Sequence, residues 1–447
     1  GSLPPVVINE LLHLLGDPDP DTRQAAVDVL ANVTVLSESA LMAICRAAQD
    51  VHAGTDIRIA AINALRRPVE LPNEVLELLT DWTYDPDVNV RRSAALALGT
   101  CLNSSLTVID ALVERLDDPV DSVRAAVVEP LTLKGGTHPR VQHVLAHMVS
   151  DPIHTVRCAV ARALRHFPRP GDELRAALRV LLNDGEMIVR EATLDTIAHL
   201  EDPGAEIINY LTDLATDPHC GIGPKSVQAL ASLRGLPETA LLALAKALPV
   251  HWQTCGREIA ACLAAHVPLS QHVIQEVMDL AVLSRRVGMS STRVPMGLRA
   301  LALEILGNFI NEVPTAVRIL LDAAGEAGEV QVQVAGLRGL GHARHIMPGV
   351  EQELLRLMGQ GPLEVRCAAG IALGNLVRNL PDPPFRGDQL TKLGEALAAL
   401  LQEVAPRAAW ESETRMQNEL LLALDWVVAR ARPYVPRLPA RLENLTG

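Results

Sequence analysis

His143 and His147 stand four residues apart, a spacing that sets two imidazoles on one helix face as metal ligands are set, and Asp151 follows as a candidate third ligand. Val141, Val144, Leu145 and Met148 mark the buried face of the same stretch, so both histidines point outward. Without the glutamate of an H-E-x-x-H motif the pair reads as surface histidine rather than as a catalytic zinc site, and His342 with His345 carries less still. Other chemistries have no anchor. No G-x-x-x-x-G-K, G-x-G-x-x-G or G-x-S-x-G occurs, and Ser290-Ser291-Thr292 reads as polar loop rather than nucleophile. The seven cysteines are odd in number, far apart and free of C-x-x-C pairing, the usage of a reduced cytoplasmic interior rather than of a disulfide frame. No catalytic residue, cofactor or metal is therefore expected.

The elements that would position such groups follow from one returning phrase. Asp85-Pro86…Val90-Arg91, Asp118-Pro119…Val123-Arg124, Asp151-Pro152…Val156-Arg157 and Asp184-Gly185…Val189-Arg190 place their arginines 33 residues apart. A fixed period of this size marks a solenoid, in which each unit buries its apolar face against its neighbours alone. Each unit reads as a helix, an Asp-Pro turn and a second helix. Apolar residues recur at helical spacing, proline stops the first helix, and aspartate can cap the second. Cys158 and Cys367 directly follow a repeat arginine, a shared slot that argues for a structural position.

Composition agrees with this architecture. Apolar residues make up 49% of the chain and aromatics 2%, so Leu, Val, Ile and Ala must fill a thin two-layer core. The net charge of −13 is opposite to the basic footprint of a phosphate-neutralising surface and counts against nucleic acid. No stretch is long and apolar enough for a bilayer span, and no signal peptide is visible. Gly1-Ser2 reads as a tag remnant followed at once by a repeat, so a piece of a longer protein is expected.

Along the chain, the first unit predicts helices at Val7–Leu15 and Thr22–Val33, and the second unit closes on Ile57–Arg66. Regular second helices follow at Val90–Cys101, Val123–Leu133 (with Pro130 as a kink), Val156–Phe167 and Val189–Leu200. Residues 1–200 thus form a regular N-terminal array. Between 201 and 297 the period loosens, with Gly256–His266 as a second helix and a long loop over 284–295. Residues 298–447 resume the repeat and end in a cap whose helices are predicted at Leu390–Val404 and Arg415–Arg430.

The phrase Asp118-Pro119-Val120-Asp121-Ser122-Val123-Arg124-Ala125-Ala126 resembles the HEAT-repeat family, most closely its short-repeat branch with the phycobilin-lyase-like repeats. Ankyrin repeats share the period but not the phrase. The resemblance implies an all-α, right-handed α-α superhelix of the HEAT/armadillo type, with about 11–12 helical hairpins. It also implies that the motif aspartates and arginines are structural, the arginine stem lying along the seam and its head bonding carboxylates or carbonyls of adjacent turns. An iron-dependent hydroxylase of this fold takes its ligands from His-Glu pairs, and this chain has no His-Glu dipeptide.

HEAT second helices line the concave face, which fixes where a partner would meet the chain. With the motif arginine as zero, the apolar positions are mainly three, four and seven, so at about 100° per residue position five points away from the core. That column holds Asp28, Asn63, Leu96, Glu129, Arg162, Asp195, Glu304, Arg338 and Ile371, with Arg165, His166 and His199 nearby. Leu96 and Ile371 are its expected apolar anchors. In the loop, Arg285, Arg286 and Arg293 offer positive charge to a carboxylate or phosphate of a partner. The expected function is non-catalytic recognition of a protein or peptide, or of other domains of its own parent chain, in a bacterial-type cytoplasmic signalling protein. A lyase-like enzyme and a nucleic-acid binder resembling the HEAT-like DNA glycosylases are the alternatives.

Overall fold

A computed structural model describes residues 5–14, 17–19, 21–22, 25–26, 29, 38–51, 54–66, 71–100, 106–135, 138–217, 221–282, 295–326, 328–345, 349–380, 385, 387–405 and 411–432. Among these the regular structure is entirely helical. The chain divides into two compact units, Gly1–Ile208 and Asn209–Gly447.

In the first unit the helices are α1 (Pro5–Leu14), α2 (Glu38–Gln49), α3 (Thr55–Ala64), α4 (Asn73–Trp82), α5 (Val88–Thr100), α6 (Leu106–Glu114), α7 (Asp121–Gly135), α8 (Pro139–Met148), α9 (His154–Ala163), α10 (Asp172–Leu182) and α11 (Met187–Ile197). Helices α3, α5, α7, α9 and α11 pack in succession as the second-helix layer, and α8 packs on α10 in the first-helix layer. The second helix expected over Thr22–Val33 lies mostly outside the described residues. Helix α12 (Ala205–Thr216) contains the division between units.

The second unit continues with α13 (Gly223–Ser232), α14 (Glu238–Ala265), α15 (Gln271–Ala281), α16 (Met296–Asn308), α17 (Pro314–Gly325), α18 (Val330–Leu340), α19 (Val350–Gly359), α20 (Leu363–Asn379), α21 (Gly387–Val404) and α22 (Glu411–Ala431). Here α16, α18, α20 and α22 pack in succession. The helix read at Gly256–His266 is the end of α14, a helix of 28 residues that carries Pro249 in its interior. His251, Cys255, Ile259 and Cys262 continue its buried stripe past the proline, and that stripe holds the two halves as one element.

The motif residues account for the spacing. Arg124 donates from Nε and Nη2 to both carboxylate oxygens of Asp151 at 2.8 and 3.0 Å. Its Nη1 donates back to the carbonyls of Asp118 and Pro119 at 2.8 and 3.4 Å. One guanidinium thus ties its own hairpin turn to the next. Arg91 does the same with Asp118, and Arg157 with Asp184. Arg58 pairs with Asp85 by a short contact, and Arg190 bonds the Asp184 and Gly185 carbonyls. The aspartates do not cap the helices as anticipated. Each accepts the N–H two residues on, from Asp87, Val120, Ile153 and Glu186, and so closes an Asx turn before the helix starts.

Burial alone would raise the carboxyls of Asp118, Asp151 and Asp184. Hydrogen bonds from the partner arginine and from the turn N–H outweigh it and hold all three below the ordinary aspartate value. A depressed folded-state pKa contributes stability that is complete above the unfolded value of about 3.9 and is lost as pH falls through the folded value. The denaturation midpoint should therefore decline as pH drops below about 4, and Asp118→Asn/Asp151→Asn/Asp184→Asn should flatten that decline while lowering the midpoint at neutral pH. Separately, Arg124→Ala strands a nearly buried carboxylate and should cost roughly 3 kcal/mol or more, read as a lower melting temperature by circular dichroism.

Candidate functional site

The sequence-derived column falls differently in the two units. In the first, Glu129 on α7, Arg162 on α9 and Asp195 on α11 are exposed on the second-helix face, as the register requires. Arg165 reaches back to Glu129 at 3.0 Å. Arg162, Arg165, Asp195 and His199, with Ile188 and Glu191, line a shallow cavity of about 380 Å³. Burial, and then the charge of Arg165, lower the pKa of His166, which favours its neutral form. Asn63 and Leu96 are half-buried. Asp28, and Arg285, Arg286 and Arg293 of the loop, lie outside the described residues.

In the second unit Glu304 on α16 is exposed and Arg338 on α18 half-exposed, but Ile371 on α20 is buried at 6% exposure. The register is right there and the environment is not, because α22 lies across α20. A Cβ on Gly374 would come within 2.7 Å of the Ala423 backbone, so the two helices touch where a side chain is missing. Arg415, Glu419, Leu422 and Trp426 of α22 thereby wall a cavity of about 400 Å³ over Ile371, with Glu304 and Arg338 opposite. Arg338 pairs with Glu419 at 3.4 Å and Arg415 with the same carboxylate at 3.0 Å. The Arg378 guanidinium sits 4.7 Å from the Trp426 ring centroid, a cation–π contact.

A second cavity of about 710 Å³ shares Glu304 and Arg338 and extends to Trp252, Arg257, Leu301 and Val334. Together the two form one groove along the second helices, with a tryptophan near each end. Leu422 and Trp426 are 58% and 41% exposed, whereas Leu96 and Ile371, the expected apolar anchors, are half-buried and buried. Counting from repeat arginines missed them because α14 and α22 do not carry the phrase. A composition signal was present: four tryptophans in a chain that is 2% aromatic.

His342, on the floor of the groove, is pushed down by burial and partly restored by a hydrogen bond to the Gly307 backbone. Cys45, Cys262 and Cys367 are raised to about 11 by burial, so these thiols are poor nucleophiles. Among the described residues no three His, Cys, Asp or Glu converge to hold a metal, and no helix is long and apolar enough to cross a membrane.

The family profile of HEAT repeats matches residues 8–99 and 55–132. Residues 8–132 carry HEAT repeats. A search of curated proteins found no match. Among solved structures, Kap121p bound to Pho4p aligns with a TM-score of 0.64 at 12% identity, over 96% of this chain and 50% of that one. Kap121p bound to Nup53p gives 0.64 at 13% identity, over 97% and 50%, and importin beta 0.62 at 13%, over 98% and 68%. At such identity the likeness is one of fold, and this chain spans about half the length of the Kap121p chains.

The HEAT stack brings its second helices unusually close beneath the groove. A Cβ on Gly307 of α16 would lie 2.5 Å from the Gly339 Cα of α18. Gly307→Ala must push two backbones apart and should cost about 1–3 kcal/mol, whereas Gly359→Ala, with nothing within 4 Å, should not. Chemical denaturation of the two variants side by side checks this.

Proposed function

We propose that this HEAT solenoid is a non-catalytic recognition scaffold that holds a protein or peptide along its second-helix face, with the groove of the second unit as the principal contact. The observation that carries the reading is the groove itself. Two cavities of about 400 and 710 Å³ meet at Glu304 and Arg338. Exposed Leu422 and Trp426 supply apolar anchors, while Arg338, Arg378, Arg415 and Glu419 supply orienting charge. Tryptophan and arginine carry the largest share of binding energy where partners meet. The Kap121p structures with Pho4p and Nup53p support the reading in kind, since in each a chain of similar fold is bound to another protein.

Free buried thiols at Cys45, Cys158, Cys255, Cys262 and Cys367 suit a reducing cytoplasm. A bacterial-type signalling protein, in which the partner is another domain of the same parent chain, is the setting we favour. Selection of a displayed random-peptide library on the purified chain, followed by titration of the winning peptides, tests the site. Trp426→Ala and Arg338→Glu should each weaken binding at least about tenfold, the scale of a residue worth 1.4 kcal/mol or more. Peptides that bind both variants as tightly as the parent chain would move the function elsewhere.

A further inference from the structure

The outward pair His143 and His147 takes an arrangement that a solvated surface does not need. The Nδ1 of His143 meets Oε1 of Glu173, on α10 of the next hairpin, at 2.6 Å. A carboxylate only accepts, so Nδ1 donates on that side and the Nε2 of His143 is turned toward His147. The Nε2 of His147 lies 3.2 Å from it, with the ring planes 82° apart. Two nitrogens at that separation, each about 2.0–2.1 Å from one ion, subtend about 100–106° at it, close to the tetrahedral angle that zinc adopts.

Neighbouring contacts separate this from ordinary surface pairing. Tyr84 with Glu114 and Arg140 with Asp110 span the same 30-residue step between first helices, as His143 with Glu173 does. Those links are complete as pairs. The His143 link sets the outer nitrogen of that ring against a second imidazole nitrogen. The carboxylate behind the ring is the arrangement that fixes a ligating histidine in the right tautomer and raises its basicity. Asp151, the third ligand that spacing alone suggested, is committed to Arg124 and to the Ile153 N–H.

We propose that His143 and His147 bind one zinc ion through their Nε2 atoms, with Glu173 as the positioning residue for His143. On binding, the proton shared between the two Nε2 atoms is displaced and His147 takes its Nδ1–H tautomer. The remaining two coordination positions are filled by water or by a side chain of a docked partner. The site lies on the first-helix face of the first unit and does not depend on the groove reading.

Isothermal titration of the purified chain with zinc chloride in a non-chelating buffer at neutral pH tests it. The expected result is one site per chain, weakened at least about 100-fold in His147→Ala and His143→Ala, and about 10–100-fold in Glu173→Gln. Both histidines are on the surface, so metal-free melting temperatures should match the parent and exclude misfolding as the cause. Zinc binding unchanged in His147→Ala, or no saturable binding up to millimolar zinc, overturns the site. Binding that is lost in the histidine variants but unchanged in Glu173→Gln overturns the positioning role alone.

Discussion

Arg91, Arg124 and Arg157 are largely buried cations satisfied on two sides at once, and the regular part of the fold is arranged around that requirement. A guanidinium taken from water is tolerable only when its donors are fully used. Arg124 meets this by reaching six residues back to the Asp118 carbonyl and 27 forward to Asp151, and those two reaches together make the 33-residue period. The period is therefore a distance between hydrogen-bond partners rather than a feature of helix length. It also explains why the aspartate closes an Asx turn: its carboxylate must sit in the turn, where the previous arginine arrives, and not over the first helical N–H groups.

Where the ladder is chemically altered, the same requirement is met by other means. Arg299 of α16 donates Nε to the Ala281 carbonyl at 2.9 Å and splits its terminal nitrogens between Glu326, again 27 residues on, and Glu329. In α18 the slot holds Gln333, whose Nε2 reaches the Ala324 carbonyl at 3.1 Å and brings no charge to neutralise. A neutral amide needs no carboxylate in the following turn. Glycines at 307 and 339 let α16 and α18, already tied by Arg299 and Glu326, approach backbone to backbone.

How much of this could be read in advance depended on how far apart the interacting residues are. The turn phrase encodes both arginine and aspartate locally, so the all-helical repeat and the structural role of Arg91, Arg124 and Arg157 followed from sequence. The same register put Glu129, Arg162 and Asp195 on the open face. It failed at Ile371, because what buries that side chain is α22, some 50 residues on and outside the period. It failed also at Trp252 and Trp426, which sit on helices without the phrase. The fusion at α14 was hidden because Pro249 reads as a breaker, while the buried stripe that carries the helix past it is set by neighbours.

The exposed and the buried ion pairs of the array differ for a physical reason. Exposed cross-hairpin pairs such as Arg179 with Glu206 and Arg140 with Asp110 lie in high dielectric and are worth about 0–1 kcal/mol each, so they can change without unfolding the stack. The buried arginines cannot, and a residue that must stay paired inside the seam is not free to recognise a partner. The groove we propose as the contact is made of positions that the ladder leaves out, Glu304 and Arg338 on the second-helix face of the second unit, with Trp426 and Glu419 brought in from the terminal helix. The Arg338–Glu419 pair joins residues 81 apart. It is half-exposed, so a partner's carboxylate or guanidinium could exchange with either member at a small desolvation cost. A fully buried pair at that place would be more rigid and harder for a ligand to open, and the partial exposure of this one suits the proposed contact.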